Sequence, residues 1–231
     1  MATSGSTDYT RTATQLISGA LRDIGALAAG ETAAAEDTAA ALESLNLLIK
    51  GWQTEGIGLW LNDTFSITLV ADQASYTMGS GGDVSIARPL ELVEARFRYS
   101  SNSTDIPMIP LMRDEYFRLS NKATEGVPTQ YYFDPQLALC VFYIWPVWDT
   151  TPAGSIVGTV KTTIEDFDSL ANTSDLPPEA LRALRKNLAI EIAPEMGREP
   201  SQILVAQALE SKRNLMNHDR ESSVMFGLER R

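Results

Sequence analysis

A helical pattern interrupted by a long block of strand-like sequence constrains this fold more than any other feature. Apolar residues recur at the helical period over about 14–29 and 32–55, and again over about 178–192 and 201–216. The residues between these two pairs alternate with period two or carry turn signals. The order predicts an α+β fold, with two N-terminal and two C-terminal helices in a four-helix bundle and an inserted antiparallel β domain.

The expected domain boundaries lie where the period changes. Residues 1–63 are predicted to form the N-terminal half of the helical domain, and residues 64–170 the inserted β domain. Residues 171–216 are predicted to complete the helical domain, and residues 217–231 to form an extended tail that docks on a partner.

Capping signals and apolar stripes define the predicted helices. Thr12 and Gln15 have the spacing of a capping box, Gly30 is the expected end of the first helix, and Thr32 is the expected N-cap of the second. Apolar residues at the helical period are predicted to pack the bundle, and they are Leu21, Ile24, Leu45, Leu48, Trp52, Leu184, Leu188 and Ile192.

Proline and glycine positions organise the β block. A short strand over 106–111 contains Pro107 and Pro110, which predicts a position at a sheet edge. Segments 130–133 and 137–145 are predicted to form a hairpin. The run Gly79–Gly82 lacks the lysine, the Ser/Thr and the following helix of a phosphate loop, so it is interpreted as a hairpin tip.

Composition excludes several classes of protein. The single cysteine rules out a disulfide framework, and the single histidine rules out a His-rich zinc site. No apolar run reaches the roughly 18 residues that cross a bilayer, so no membrane association is expected. The polar N-terminus lacks a signal-peptide core, which predicts a cytosolic origin.

The net charge of −11 is unevenly distributed along the chain. Residues 1–63 carry −5, residues 64–175 carry −7 and residues 176–231 carry +1. An acidic body argues against wrapping nucleic acid by neutralising phosphates. The mildly basic C-terminal end is expected to dock on a different, acidic surface.

No residue set predicts a catalytic site or a cofactor site. His218 stands alone in a polar segment, and Cys140 lies within an apolar strand, where a buried thiol is expected. The acid pairs Asp114-Glu115 and Glu165-Asp166 are sequence neighbours, which point to opposite faces of a strand. The chain is therefore not expected to be an enzyme; a carboxylate hydrolase is the weakest of three hypotheses.

Two segments suggest binding surfaces. Aromatic residues of the β block are expected mainly to fill its core; alternatively, Tyr131, Tyr132, Trp145 and Trp148 form a face that recognises a glycan or a tail fibre. The last fifteen residues place an apolar triplet in a polar, basic terminus. Such a segment is expected either to be disordered alone or to order on a partner, and the second reading is favoured.

The helical segments resemble a known family. Residues 16–25, 40–56, 181–196 and 206–215, including the Ala193-Pro194 step after the third helix, are similar to the head-to-tail adaptors of short-tailed bacteriophages. These proteins are also called tail accessory factors or packaged-DNA stabilisation proteins. The chain departs from the shortest members by carrying the β block between helices two and three.

The resemblance implies a structural virion protein. It implies a homo-oligomeric, usually dodecameric ring under the portal protein at the capsid–tail junction, made in the host cytoplasm. A tail nozzle or tail tube protein, and as a further candidate a tail fibre, would bind its other face. Double-stranded DNA would pass through the lumen without sequence-specific binding. The expected portal-docking residues are Arg220, Val224, Met225, Phe226, Arg230 and Arg231.

Overall fold

The chain forms an α+β fold of helices and two β-sheets. The computed structural model describes residues 5–6, 8–57 and 61–218. The helices are α1 (Ala13–Asp23), α2 (Ala35–Thr54), α3 (Arg113–Arg118), α4 (Ala180–Ile192) and α5 (Gln202–His218). The strands are β1 (Asn62–Thr68), β2 (Ser75–Met78), β3 (Glu91–Tyr99), β4 (Asp105–Pro107), β5 (Ile109–Pro110), β6 (Gln130–Asp134), β7 (Cys140–Trp145) and β8 (Gly154–Lys161).

The chain divides into two compact units. A helical unit contains residues 1–60 and 164–231, and a β unit contains residues 61–163. The helical unit is therefore built from both ends of the chain, and the β unit is one continuous segment. None of the helices in the part of the chain that the structure describes is long and apolar enough to cross a membrane.

Helix α1 begins as the sequence predicts. The Thr12 hydroxyl accepts a hydrogen bond from the backbone N–H of Gln15, and the Gln15 side chain accepts one from the backbone N–H of Thr12, each at 3.3 Å. This confirms the capping box, which satisfies two amide groups that have no partner within the helix.

The end of α1 differs from the prediction. The helix stops at Asp23, six residues before the expected range ends, and Gly30 does not terminate it. Gly25 adopts a left-handed φ of 71°, and the backbone N–H of Ala26 donates to the carbonyl of Leu21 at 2.9 Å. This is a Schellman termination, which requires a residue that tolerates positive φ, and Gly25 is the residue that directly follows the C-cap Ile24.

Helix α2 also starts later than predicted. Its N-cap is Ala34, which is extended at ψ 153° and makes no side-chain capping bond, so the expectation of a cap at Thr32 is wrong. The acidic residues Glu36 and Asp37 lie in the first turn and stabilise the positive end of the helix dipole. The helix ends at Thr54, within one residue of the predicted end at 55, and Gly56 follows the C-cap Glu55 with a φ of 83°.

The helical unit is organised around α4. This helix contacts α1, α2 and α5, and α1 also contacts α2. The apolar stripe of α4 is completely buried at Leu184, Leu188 and Ile192. Each helix has one apolar stripe, so the stripes can be shielded from water only by packing together.

The segment that returns from the β unit belongs to the helical unit. From the sequence, residues 164–170 are predicted to belong to the β domain. In the structure, the side-chain amide of Asn46 donates a hydrogen bond to the carbonyl of Phe167 at 3.1 Å and accepts one from the backbone N–H of Phe167 at 2.9 Å. The Lys50 ammonium donates to the carbonyl of Ile164 at 2.8 Å and lies 2.6 Å from an Asp166 oxygen. These contacts hold the returning segment against α2.

The two sheets of the β unit each have four strands. Their orders are β1-β8-β3-β4 and β2-β7-β6-β5, and every pairing is antiparallel except the short β5–β6 pair. The sheets share one core, which includes Phe65, Phe97 and Ile156 from the first sheet and Tyr76 and Phe142 from the second. The Phe65 and Phe142 rings meet edge to face at 6.1 Å.

The β unit begins and ends at one place. Strands β1 and β8 are its first and last strands, and Asn62 pairs with Lys161. The backbone N–H of Thr162 donates to the carbonyl of Leu61 at 3.0 Å. Because the two ends are adjacent, the unit can be inserted between α2 and α4 without separating the ends of those helices.

The proline-containing segment is at the edge of both sheets. Pro107 ends β4, the last strand of the first sheet, and Pro110 ends β5, the last strand of the second. The prediction of an edge position is confirmed, but the single predicted strand is two strands in different sheets. Between them, Met108 is buried and its N–H donates to the carbonyl of Ala95 at 2.9 Å.

The glycine-rich run is a loop between sheets rather than a hairpin tip. Strand β2 precedes it, and the next strand, β3, lies in the other sheet, so the predicted hairpin is wrong. Asp83 closes the loop by accepting bonds from the Thr77 backbone N–H and hydroxyl, both at 2.7 Å. These bonds lower the pKa of the Asp83 carboxyl.

Candidate functional site

The residues predicted to pack the helical unit are buried or half-buried. Six of them are no more than 2% exposed, namely Leu21, Leu45, Trp52, Leu184, Leu188 and Ile192. Ile24 and Leu48 are half-buried. Ile24 is the C-cap of α1, where the chain leaves the packed face of the helix.

Large apolar side chains on two helices of the helical unit remain in solvent. Leu47 is 64% exposed and lies about 200° around α2 from the buried Leu45. On α5, Ile203 and Leu209 are 72% and 63% exposed, on either side of the buried stripe. Ile203 lies outside the buried stripe of α5, which runs through Leu204, Ala208, Ser211 and Leu215.

The predicted docking tail lies outside the described residues. This applies to Arg220, Val224, Met225, Phe226, Arg230 and Arg231. The last described residue, His218, ends α5.

The four aromatic residues of the alternative recognition face do not share one exposed face. Tyr131 lies in the core, stacked on Phe142 at 5.4 Å, whereas its neighbour Tyr132 faces the other side of the sheet. The indole N–H groups of Trp145 and Trp148 donate to the carbonyls of Asn121 and Pro152, each at 3.0 Å. The aromatic residues are therefore distributed between the core and the outer face of the second sheet.

The outer face of that sheet carries a tyrosine stack beneath α3. Tyr116 of α3 stacks on Tyr132 at 5.6 Å and lies 5.0 Å from the ring of Tyr143. Tyr116 and Tyr132 are buried, and burial raises the pKa of both phenols. Phe117 of the same helix is 53% exposed.

Four of the side chains considered for catalysis, those of Asp114, Glu115, Cys140 and Asp166, have structural partners. Asp166 pairs with Lys50, Asp114 lies 3.5 Å from Arg118, and Glu115 accepts a bond from the Met112 N–H. The Cys140 thiol is fully buried and donates to the carbonyl of Pro89 at 3.3 Å, and burial raises its pKa. Among the described residues, no group of three or more His, Cys, Asp and Glu is placed to hold a metal ion.

Asp105 forms ion pairs that link the first sheet's edge strand β4 to its neighbour β3, with Arg98 at 2.6 Å and with Arg96 at 3.8 Å. Arg98 of β3 donates to both carboxylate oxygens of Asp105 in β4, at 2.6 and 2.8 Å. These bonds, with the nearby charges of Arg98 and Arg96, lower the pKa of Asp105. A depressed carboxyl pKa stabilises the fold above the pKa of the unfolded chain, and this stabilisation is lost as the pH falls through the folded pKa.

We therefore expect the β unit to lose stability as the pH falls below about 4, in part through Asp105. Asp105→Asn should weaken the fold at neutral pH and flatten its dependence on acid pH. Urea denaturation of both proteins between neutral and acid pH measures the difference. A pH dependence that is unchanged in the variant would contradict the assignment.

The helical unit contains a basic cavity that is not predicted from the sequence. This cavity of about 580 Å³ lies between α1 and α4, and its lining includes Arg11, Arg22, Arg182, Arg185 and Lys186. These residues come from two distant segments of the chain, and none of them belongs to the apolar stripes that predict the helices. The signal that could have found them is the spacing of Arg182, Arg185 and Lys186, which share one side of a helix.

No protein-family model and no curated protein matches the chain.

Proposed function

We propose that this chain is a structural virion protein, the head-to-tail adaptor of a short-tailed bacteriophage. The observation that carries the proposal is the assembly of the helical unit. The segments that resemble the adaptor family lie at opposite ends of the sequence, yet α1 and α2 pack with α4 and α5 around one core. We propose that these four helices are the adaptor bundle; α3 belongs to the β unit.

In this function the chain forms a ring, dodecameric by the resemblance, beneath the portal protein. The exposed side chains Leu47, Ile203 and Leu209 are candidates for burial by a neighbouring copy, because water contact with large apolar side chains is unfavourable. The ring connects the capsid to a tail nozzle or tail tube protein and retains packaged DNA. It also forms part of the channel through which DNA is ejected.

The charge of the chain is compatible with a DNA channel. With a net charge of −11 on each copy, a lumen of like charge repels the phosphate backbone, so that DNA slides rather than binds. The C-terminal residues Val224, Met225 and Phe226, with the neighbouring arginines, are proposed to order on the portal. Ordering of such a tail costs free energy that only a partner offsets.

Electron microscopy of the purified chain mixed with the portal ring encoded in the same genome tests this function. We expect a collar seated on one end of the portal, with rotational symmetry equal to that of the portal. A chain lacking residues 217–231 should keep its far-UV circular dichroism and its melting temperature, but it should no longer bind. Normal collar formation by the truncated chain would contradict the role of the tail. Absence of any collar with the folded full-length chain would contradict the adaptor function.

A tail-associated binding module is the second candidate function. In this alternative the β unit recognises a fibre or a glycan, and the exposed aromatic and apolar residues near α3, such as Phe117, favour it. Binding of the full-length chain to a glycan array or to a fibre protein, without portal binding, would support this alternative.

A further inference from the structure

We propose that the cavity between α1 and α4 is a binding site for phosphate groups. The site is assigned from the charge and geometry of the helical unit, so it goes beyond the adaptor function and does not depend on it. Its lining residues come from 9–22 and 178–186, which both belong to the helical unit.

The cavity concentrates positive charge on an acidic protein. Five of the 19 lysine and arginine residues of the chain line it, although the net charge is −11. No aspartate or glutamate is among the described lining residues. Like charges placed around one cavity repel one another, and a bound anion reduces this repulsion. The anion is also attracted by several side chains at once.

Two of the five cations are held in position by one carboxylate. Arg185 donates from Nε and Nη2 to the two oxygens of Asp23, at 2.9 and 2.7 Å. The Lys186 ammonium lies 3.2 Å from the same carboxylate, which is only 13% exposed. Asp23 thus orients both side chains and balances only one of their two charges.

A glycine gives Arg185 its place beside α1. A Cβ atom at Gly19 would lie 2.8 Å from Nε and 3.0 Å from Cδ of Arg185. Any larger residue at this position would displace the guanidinium from Asp23. The absence of a side chain at Gly19 therefore allows the arginine of α4 to reach the carboxylate of α1.

The other three cations have no carboxylate partner within the described part of the chain. Arg22 and Arg182 are exposed and project from α1 and α4 beside the held pair. Arg11 bonds the Tyr9 hydroxyl through Nε and lies 4.9 Å from the centre of the Tyr9 ring. None of these contacts neutralises charge, so the guanidinium groups remain available to an anion.

The number of uncompensated charges favours phosphate over carboxylate. One carboxylate carries a single charge, which the charge of one arginine balances, as that of Arg185 does for Asp23. A phosphate group carries up to about two charges and three acceptor oxygens, and guanidinium donors match its geometry. Arg11, Arg22 and Arg182 have no carboxylate partner in the described part of the chain, and Asp23 leaves one positive charge of Arg185 and Lys186 unbalanced. These charges therefore suit a ligand with more than one phosphate group.

The test is isothermal titration calorimetry of the full-length chain with tripolyphosphate at low ionic strength. We expect saturable binding that weakens as salt is added. The double variant Arg22→Gln/Arg182→Gln should bind about a hundredfold more weakly, since each of the two lost charged hydrogen bonds costs about one factor of ten. Hydrogen exchange should show ligand-induced protection in 8–23 and 178–186.

A matched double variant controls for overall charge. Arg198→Gln/Arg213→Gln removes two charges from exposed arginines of the same unit that do not line the cavity. This control should bind tripolyphosphate within about twofold of the parent chain, since screening weakens the effect of distant exposed charges. Equal losses in both double variants would overturn the proposal, because the binding would then reflect net charge alone.

Two further ligands test whether the cavity prefers phosphate to carboxylate and which kind of molecule supplies the phosphate. Citrate should bind more weakly than tripolyphosphate, and equal binding by this tricarboxylate would overturn the assignment to phosphate. A short DNA duplex that competes with tripolyphosphate would support the nucleic-acid backbone as the source of the phosphate. Tripolyphosphate binding without such competition would support a small polyphosphate or nucleotide. No binding of either phosphate ligand at low ionic strength would overturn the proposal.

Discussion

Gly158→Ala is expected to destabilise the β unit by about 3 kcal/mol or more, which is the upper range for overpacking a core. Gly158 lies in β8, where it pairs with Phe65 on one side and Ala95 on the other. A Cβ atom there would lie 2.3 Å from the carbonyl oxygen of Glu94 and 2.7 Å from the Phe65 ring. The backbone oxygen cannot rotate away, so the substitution must separate β8 from β3 or expel the phenylalanine.

Urea denaturation and hydrogen exchange of residues 61–163 measure this effect. Gly51→Ala is the matched control, because a Cβ atom at Gly51 meets no atom within 4 Å. Gly51 lies inside α2, where alanine is favoured over glycine by about 1 kcal/mol, so this control should stabilise the chain. Unchanged exchange in β3 and β8 of Gly158→Ala would contradict the predicted clash.

Leu188→Ala should cost the helical unit about 2–5 kcal/mol, the range for deleting a buried leucine side chain. Leu188 is completely buried in α4, the helix that contacts α1, α2 and α5. Truncation leaves a cavity where the helices meet, and rigid neighbours fill such a cavity only partly. This loss is a large fraction of the total stability of a typical domain.

Leu47→Ala provides the matched control for this prediction. Leu47 is 64% exposed, so its truncation should change the free energy of unfolding of the isolated chain by no more than about 0.5 kcal/mol. Hydrogen exchange of the α4 and α5 peptides reports the helical unit separately from the β unit. Equal protection of α4 in both variants would contradict the central position of Leu188.

Sequence patterns among neighbouring residues predicted the structural features that neighbouring residues determine, such as helix caps, edge strands and buried helix faces. The Thr12–Gln15 capping box marked the start of α1, because both bonds join residues three apart. The prolines at 107 and 110 predicted edge strands, because proline lacks the N–H that a central strand needs. The period of apolar residues likewise predicted the buried stripe of α4.

Sequence patterns did not predict the end of α1 or the sheet to which a strand belongs, because more than one residue or arrangement fits the same pattern. Both Gly25 and Gly30 can adopt positive φ, and the choice of Gly25 depends on where the packed face of α1 ends. Segment 106–111 was predicted as one strand because nothing in its residues shows that β4 and β5 belong to different sheets. Sheet membership depends on which distant strand lies alongside.

The sequence by itself determined that helices precede and follow a β block along the chain, because the periods of 3.6 and 2 are properties of neighbouring residues. It also determined the acidity of the chain and the lack of His-rich or disulfide sites. Only the tertiary structure decided that β1 and β8 pair at the entrance of the β unit, and that Asp23 holds Arg185 and Lys186 beside Gly19. Asp23 and Arg185 are 162 residues apart, so no local pattern encodes their contact, and it forms only when the packing of apolar stripes brings α1 against α4.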